Sequence, residues 1–415
     1  MEPPRGSWLI RLIIFTTFSV IFVGVHGFDP RAYDAEGGKE ATCDAVKRTV
    51  TLSRTAKGAI SKSKDALVVE NEETVTIQIR YIDINPTAEK TILMIHGWPG
   101  MWSTWAYQIG EFKNDFRLIV PNLRGFGNST LPGNMRSSGT MQDLVSDMMC
   151  VLKHAGVDDV ICMGHDWGSQ ICYEMGRARP DMTSAVVGVS IPYVPAARSF
   201  TPTTSYVKFI PRFMYQIFFD EQTTKAVAEL DTDIRRSLRA IYRSLKVSTP
   251  DGFFKKRDTF LGPFGSKEVR FSLAEAGAML SEQQILPIIY LTPEEEDYFV
   301  EQFEIQGFKS TLYFYATENR YQSWKFPHDQ GNHTISLPVL TVNPSKDLLV
   351  NWKLVAFVLR SSKYIPNLTT ETVPGDHYPH MESPEAFNTV VRTWMSKVGL
   401  FRSEPEEKTR AADEL

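Results

Sequence analysis

Gly164-His165-Asp166-Trp167-Gly168 follows a short apolar run, Val160 to Met163, and precedes a stretch with helical spacing. Two glycines around one reactive side chain at a strand-to-helix turn permit a tight elbow that pushes the central residue outward. Serine is the common occupant of that position. An aspartate there offers a carboxylate that can attack an electrophilic carbon and leave an ester on the protein. A lone Asp at a helix N-terminus is ordinarily a cap. Here the flanking glycines, the preceding apolar run and the order of the later groups favour a nucleophile. Asp347 lies in Asn343-Pro344-Ser345-Lys346-Asp347, just after the apolar run Pro338 to Val342. His377 follows in Gly375-Asp376-His377-Tyr378-Pro379, with His380 a rival three residues on. Nucleophile, acid and histidine in that order suit a relay in which the acid orients the histidine and the histidine deprotonates water. The ordinary use of an Asp in a loop like that of Asp347 is a turn.

These loops need a rigid platform, and the flanking pattern supplies one. Thr74 to Tyr81 alternates as a half-buried strand, and Thr91 to Ile95 is fully apolar and runs into His96-Gly97-Trp98-Pro99-Gly100. Arg117 to Val120, Val160 to Met163 and Ala185 to Val189 are further apolar runs, with helical spacing at Met141 to Ala155 and Gln170 to Arg179. Strand–helix alternation of this kind predicts an α/β fold with a mostly parallel sheet buried on both faces. From about Pro192 the pattern turns helical and aromatic, and the sheet pattern resumes at Pro338. The helical block reads as a lid over the carboxyl ends of the strands, where ligands collect. The expected organisation is 1–27 leader, 28–72 extension with few regular signals, 73–191 first half of the core, 192–337 helical lid, 338–402 second half of the core, and 403–415 flexible tail.

Composition narrows the function classes. The chain of 415 residues carries 45 Lys and Arg against 49 Asp and Glu, so no broad basic face remains for a nucleic-acid backbone. Four cysteines, Cys43, Cys150, Cys162 and Cys172, are too few for a disulfide scaffold and lack metal-ligand spacing. Cys162, inside an apolar run, is expected to be a buried, unreactive free thiol. Cys43 and Cys150 are a candidate pair in an oxidising compartment.

The sequence resembles the epoxide hydrolases of the α/β-hydrolase superfamily, in the branch containing the soluble mammalian enzyme, over roughly residues 74–398. The resemblance rests on His96-Gly97-Trp98-Pro99, on Gly164 to Gly168, on Lys346-Asp347, and on Met381 and Pro384 spaced after His377. That last spacing favours His377 over His380. Two segments, Phe213 to Phe219 and Leu312 to Tyr315, look like those bearing the ring-opening tyrosines, which the resemblance assigns to Tyr215 and Tyr315, with Tyr313 a close competitor. It implies an α/β-hydrolase fold with an inserted helical lid, and Asp166, Asp347, His377, Tyr215 and Tyr315 as the catalytic set. The backbone N–H groups of Trp98 and Trp167 would form an oxyanion hole, and Trp98, Trp167 and Gln216 would contact substrate. Tyr378 departs from the Trp common in the family, and Asn122 from an Asp frequent in a neighbouring branch. The implied reaction opens a small apolar epoxide to a vicinal diol without metal or other cofactor. A haloalkane dehalogenase, usually with Asn at the place of Trp98, is the nearest alternative, and a catalytically silent binding protein of the same fold is another. Phe209 and Phe213, one helical turn apart, suggest an apolar substrate, although such pairs are more often simple core.

Leu12 to Val25 is uncharged and, as a helix, would reach only about 21 Å of a roughly 30 Å hydrocarbon core. With small residues at Val25 and Gly27 it reads as a signal peptide cleaved before Phe28. A retained anchor through residues 8–27, the one expected membrane contact, is the competing reading. Ala412-Asp413-Glu414-Leu415 resembles a luminal retention address of the endoplasmic reticulum, and Asn128, Asn332 and Asn367 stand in glycosylation sequons.

Overall fold

Runs of consecutive apolar residues become strands buried on both faces, as the computed structural model of residues 28–52, 67–244, 248–265 and 285–401 shows. The expected leader, tail and terminal address lie outside the described residues. Eight strands form one sheet: β1 (Gly38–Leu52), β2 (Leu67–Ile84), β3 (Thr91–Ile95), β4 (Arg117–Pro121), β5 (Val160–His165), β6 (Thr183–Val189), β7 (Val339–Pro344) and β8 (Leu368–Val373). Their order is β1-β2-β4-β3-β5-β6-β7-β8. Both pairings of β2 are antiparallel, and β4 through β8 run parallel. Every residue of β3, β5 and β7 is buried, because helices cover both faces of a sheet connected by right-handed crossovers.

Residues 28–72, read as nearly featureless, instead supply a helix at Pro30–Gly37, all of β1 and the start of β2. The alternation in β1 is carried by Ala41, Cys43 and Ala45 inward against Thr42 and Asp44 outward, so small side chains mute the hydrophobic contrast. The helix Met141–Ala155 packs against this hairpin. It opens on a capping box between Thr140 and Asp143 and stops at Gly156 in the left-handed region, φ 65°.

Two disulfides tie these layers. Cys43 of β1 is bonded to Cys150 of the helix Met141–Ala155. Cys162 is not a free thiol: it is bonded to Cys172. The turn after β5 folds the helix Trp167–Ala178 straight back over the strand, so a cysteine ten residues along the chain returns beside Cys162. The apolar setting of Cys162 identified its burial but carried no signal of that reversal.

Between β6 and β7 the described chain is helical, with the longer segments at Met214–Glu221, Thr223–Asp231, Ile234–Ile241, Pro293–Glu304 and Thr317–Gln330. Pro293 begins its helix at the first position, capped by Thr292 paired with Glu295. Aromatic residues of this insertion meet the core at Trp98, whose ring lies 5.2 Å from Phe219 and 6.0 Å from Phe308. Phe209 does not face inward. It is 85% exposed, while Phe213 is buried against Tyr206 and Trp352. Pro211 starts a new turn between them, so their spacing does not place them on one helical face. Among the described residues no helix is long and apolar enough to cross a membrane, and no group of three or more His, Cys, Asp and Glu could hold a metal ion.

Candidate active site

The carboxyl ends of β3, β5, β7 and β8 point the same way, and each leads into a loop that carries one piece of the site. At the end of β5, Asp166 adopts φ 54°, ψ −121°, a conformation an ordinary side chain rarely takes. The chain reverses so sharply that a Cβ on Gly164 would lie 2.2 Å from the carbonyl oxygen of Gly168. A Cβ on Gly168 would lie 2.1 Å from that of Ile95. Only glycine fits at either place.

The elbow delivers Asp166 between two sets of partners. Its Oδ1 accepts the backbone N–H of Trp98 at 3.0 Å, and the N–H of Trp167 also reaches the carboxylate. Its Oδ2 lies 3.3 Å from Nε2 of His377. The other ring nitrogen of His377, Nδ1, is 2.7 Å from Oδ2 of Asp347. Asp347 is oriented in turn by the N–H of Leu349 at 2.7 Å and by the indole N–H of Trp352. The three residues read from sequence as nucleophile, acid and base are therefore in contact.

Burial disfavours charge on Asp166 and His377, yet attraction between oppositely charged neighbours wins at both. Burial would lift the Asp166 carboxyl, but His377 holds it below the usual carboxylate range, so it is an anion at neutral pH. Burial would lower His377, but Asp347 and Asp166 on either side push it up to about 10. In the resting protein an imidazolium thus sits between two carboxylates.

His380 belongs elsewhere. Its ring packs on His165 and Trp105, neither of its nitrogens has a partner, and burial holds it well below the usual histidine range. His96 anchors the loop after β3: its Nδ1–H donates to the carbonyl of Gly97 at 2.8 Å, and Nε2 accepts the N–H of Leu123 at 3.0 Å. The Trp98–Pro99 peptide in that loop is cis. Asn122 accepts the N–H of Trp102 at 3.0 Å, a structural duty.

Facing Asp166 across the cleft are Tyr215 and Tyr315, their rings 5.7 Å apart. Burial, reinforced by the charge of Asp166, raises both phenols well above their ordinary range, so they keep their protons. Tyr313 is turned away, toward Phe126 and Arg124. Trp167 and Gln216 do not line the cleft. The indole of Trp167 stacks on Phe314 and hydrogen-bonds Tyr315, while the Gln216 amide reaches the Tyr215 hydroxyl at 3.4 Å and accepts from Tyr206 and Arg320. Both support the phenols from behind. The cleft is otherwise walled by Trp98, Ile241, Phe253, Phe254, Leu348 and Tyr378. Tyr378 stacks on Tyr242 of the insertion at 4.2 Å.

Two charged lining residues had no role in the sequence reading. Asp376 accepts the N–H of Leu348 and that of His377, both at 2.8 Å, and so joins the loops that carry acid and base. Burial, together with the nearby charge of Asp347, lifts it to about 7. Its position beside His377 was the available signal. Arg243, the second, sits at the end of a helix rich in arginine, and nothing local distinguished it.

A sheet of this order, with Asp166 on a glycine-flanked elbow after β5 and Asp347 and His377 in the loops after β7 and β8, defines an α/β hydrolase. A family model described as alpha/beta hydrolase fold matches residues 90–384, and the chain belongs to that family. The bifunctional epoxide hydrolase 2 of Rattus norvegicus is 25% identical over 325 residues, which is 78% of this chain and 54% of the relative. The chain thus spans about half the length of that relative. Epoxide hydrolase A of Mycobacterium tuberculosis is 26% identical over 277 residues, 66% of this chain and 81% of that one. Among solved structures, epoxide hydrolase A from Mycobacterium thermoresistibile superposes with a TM-score of 0.62 at 24% identity, covering 77% of this chain and 95% of that one. The fold is shared.

Proposed function

We propose that the chain is an epoxide hydrolase that works through an ester on Asp166. The observation that carries this reading is the pair of protonated phenols, Tyr215 and Tyr315, set across the cleft from an ionised Asp166. Oδ2 of Asp166 attacks a ring carbon of the epoxide, and the C–O bond breaks toward the phenols. One phenol delivers its proton to the leaving alkoxide while the other donates a hydrogen bond. The ester removes the negative charge of Asp166, and with it one of the two anions that keep His377 protonated. His377, still held by Asp347, then gives up its proton, which by way of solvent returns the phenolate to a phenol, and as a neutral imidazole it takes one from a water that attacks the carboxyl carbon. The oxyanion forms at Oδ1, where the N–H groups of Trp98 and Trp167 already converge. Collapse breaks the ester C–O bond as the His377 imidazolium protonates the departing alkoxide, which completes the vicinal diol, and the carboxylic acid so formed passes its proton to His377 and restores the Asp166 anion. The names of the relatives support the same reading.

A dehalogenase fits less well. The Trp98 indole N–H donates to Thr311 at 3.1 Å and that of Trp167 is engaged with Tyr315, so neither is free to hold a halide. The ester route makes a particular isotopic demand. In a single turnover in ¹⁸O-water, the diol should carry unlabelled oxygen and the peptide containing Asp166 should gain the label. Direct attack of water on the epoxide would place the label in the diol instead.

We also propose residence in an oxidising secretory compartment, supported by the two disulfides and by exposure of Asn128, Asn332 and Asn367. Native protein from a secretory host is expected to take up no alkylating reagent until it is reduced. Four modified cysteines without reduction would contradict this.

A further inference from the structure

A helix on a protein surface ordinarily turns apolar residues to the core and polar ones to water. The helix Trp352–Leu359, WKLVAFVL, does not. Trp352 is buried and Val355 packs against the core, yet the opposite face presents Leu354, Phe357 and Val358 to solvent. Those three and Phe209 are the four most exposed large apolar side chains among the described residues, from 57% to 85%. They are not scattered over the molecule. Phe209 belongs to the segment that abuts this helix: Arg212 donates to the carbonyl of Leu348, and the Phe213 ring lies 6.2 Å from that of Trp352. Single exposed apolar residues are ordinary, but a cluster of them marks a surface that meets something.

The charges around them have one sign. Lys353, Arg360 and Lys363 are exposed on or just after the helix, and Lys208 and Arg212 are exposed on the abutting segment. No Asp or Glu occurs from residue 348 to 370 or from 182 to 219, in a chain whose net charge is −4. We infer that this face docks on a lipid bilayer carrying anionic headgroups, with Leu354, Phe357 and Val358 entering the acyl boundary, Phe209 beside them and the five cations at headgroup level. Eight residues make a helix about 12 Å long, which lies in the interface and does not cross it. Aromatic and aliphatic side chains flanked by Lys and Arg are the composition of such interfacial helices. A second copy of the chain suits the face less well, because a two-fold dimer would set the same five cations against themselves. The inference is independent of the epoxide reading and of any anchor at residues 8–27. Docking brings a wall of the cleft near the lipid, since Leu348 and Leu349 line the cleft and lead into this helix.

All four native cysteines are held in disulfides, so one added cysteine can carry a fluorophore alone. The full chain is labelled at Val358→Cys or, as a control, at Asp159→Cys, an exposed position just before β5. Each is mixed with vesicles whose lipids carry bromine on the acyl chains. With phosphatidylcholine and phosphatidylserine together, quenching is expected at position 358 and not at 159. Adding Lys353→Gln with Lys363→Gln should raise the lipid concentration needed by about fivefold for each charge lost. Leu354→Gln with Phe357→Gln should raise it by about 10-fold or more, and both side chains are exposed, so the fold is kept. No quenching at 358, equal quenching at both positions, equal quenching on phosphatidylcholine alone, or a lipid requirement that none of the four substitutions moves overturns the inference. So does a spectral shift at 358 that follows protein concentration without vesicles, which would assign the face to a second copy. An anchor at residues 8–27 acting alone would hold the chain to vesicles and leave 358 unquenched, so it does not mimic the expected result.

Discussion

A His377→Gln variant incubated with an epoxide is expected to gain the mass of one substrate molecule, located on the peptide that carries Asp166. In the proposed mechanism the two halves of the reaction draw on different groups. Ring opening needs the Asp166 carboxylate and the two phenols, all of which the variant keeps. Hydrolysis of the ester needs a base 3.3 Å from that carboxylate, and His377 is the group there. Loss of a positioned general base typically slows a step by about 10²- to 10⁴-fold, so the second half becomes rate-limiting and the adduct accumulates. His380 cannot substitute, because its ring is packed against Trp105 and His165 away from Asp347. Intact-mass spectrometry followed by peptide mapping reads the result. Turnover at the wild-type rate with no adduct would remove His377 from the mechanism.

Replacing both phenols, Tyr215→Phe with Tyr315→Phe, should stop the reaction one step earlier. The rings remain to pack against Trp98, Phe219 and each other, so the cleft keeps its shape while both donors disappear. One lost donor to a developing oxyanion costs on the order of 10²-fold to 10³-fold. The pair should cost more than either alone but less than the product, because each phenol can partly serve for the other. Neither diol nor ester adduct is expected, even with His377→Gln added. An adduct at the normal rate in that triple variant would show that the leaving oxygen does not depend on these phenols.

Much of this platform was legible because the central strands are continuous apolar runs with a signature at each carboxyl end. Thr91–Ile95 and the helix Met141–Ala155 coincide with their sequence limits, and the runs at Arg117, Val160 and Ala185 match β4, β5 and β6 to within two residues. Asp166 and Asp347 could be chosen because each follows such a run, whereas β8 before His377 is polar (LTTETV) and His377 was chosen by the spacing of Met381 and Pro384 after it. What escaped the sequence depends on how distant segments meet. β1 is concealed by its small inward residues, and the Cys162–Cys172 bond by the sharpness of the elbow. Phe209 misled because Pro211 interrupts the helical phase that the spacing assumes. Arg243 looked like one more charge on an amphipathic helix. Its place on the cleft wall follows from how the insertion packs over the sheet, which its local sequence does not show.

The glycines at positions 164 and 168 bear on how such a protein can be altered. Their backbone contacts admit no side chain, so the floor on which bond-making occurs is fixed by main-chain geometry alone. The wall opposite is made of side chains from the insertion, among them Ile241, Phe253 and Phe254, and can be redrawn one residue at a time. The elbow and the apolar part of the wall are thus unequally mutable, with the two phenols standing on the wall side. Laboratory evolution toward a new substrate would have to travel through the wall, while the elbow offers it no neutral step.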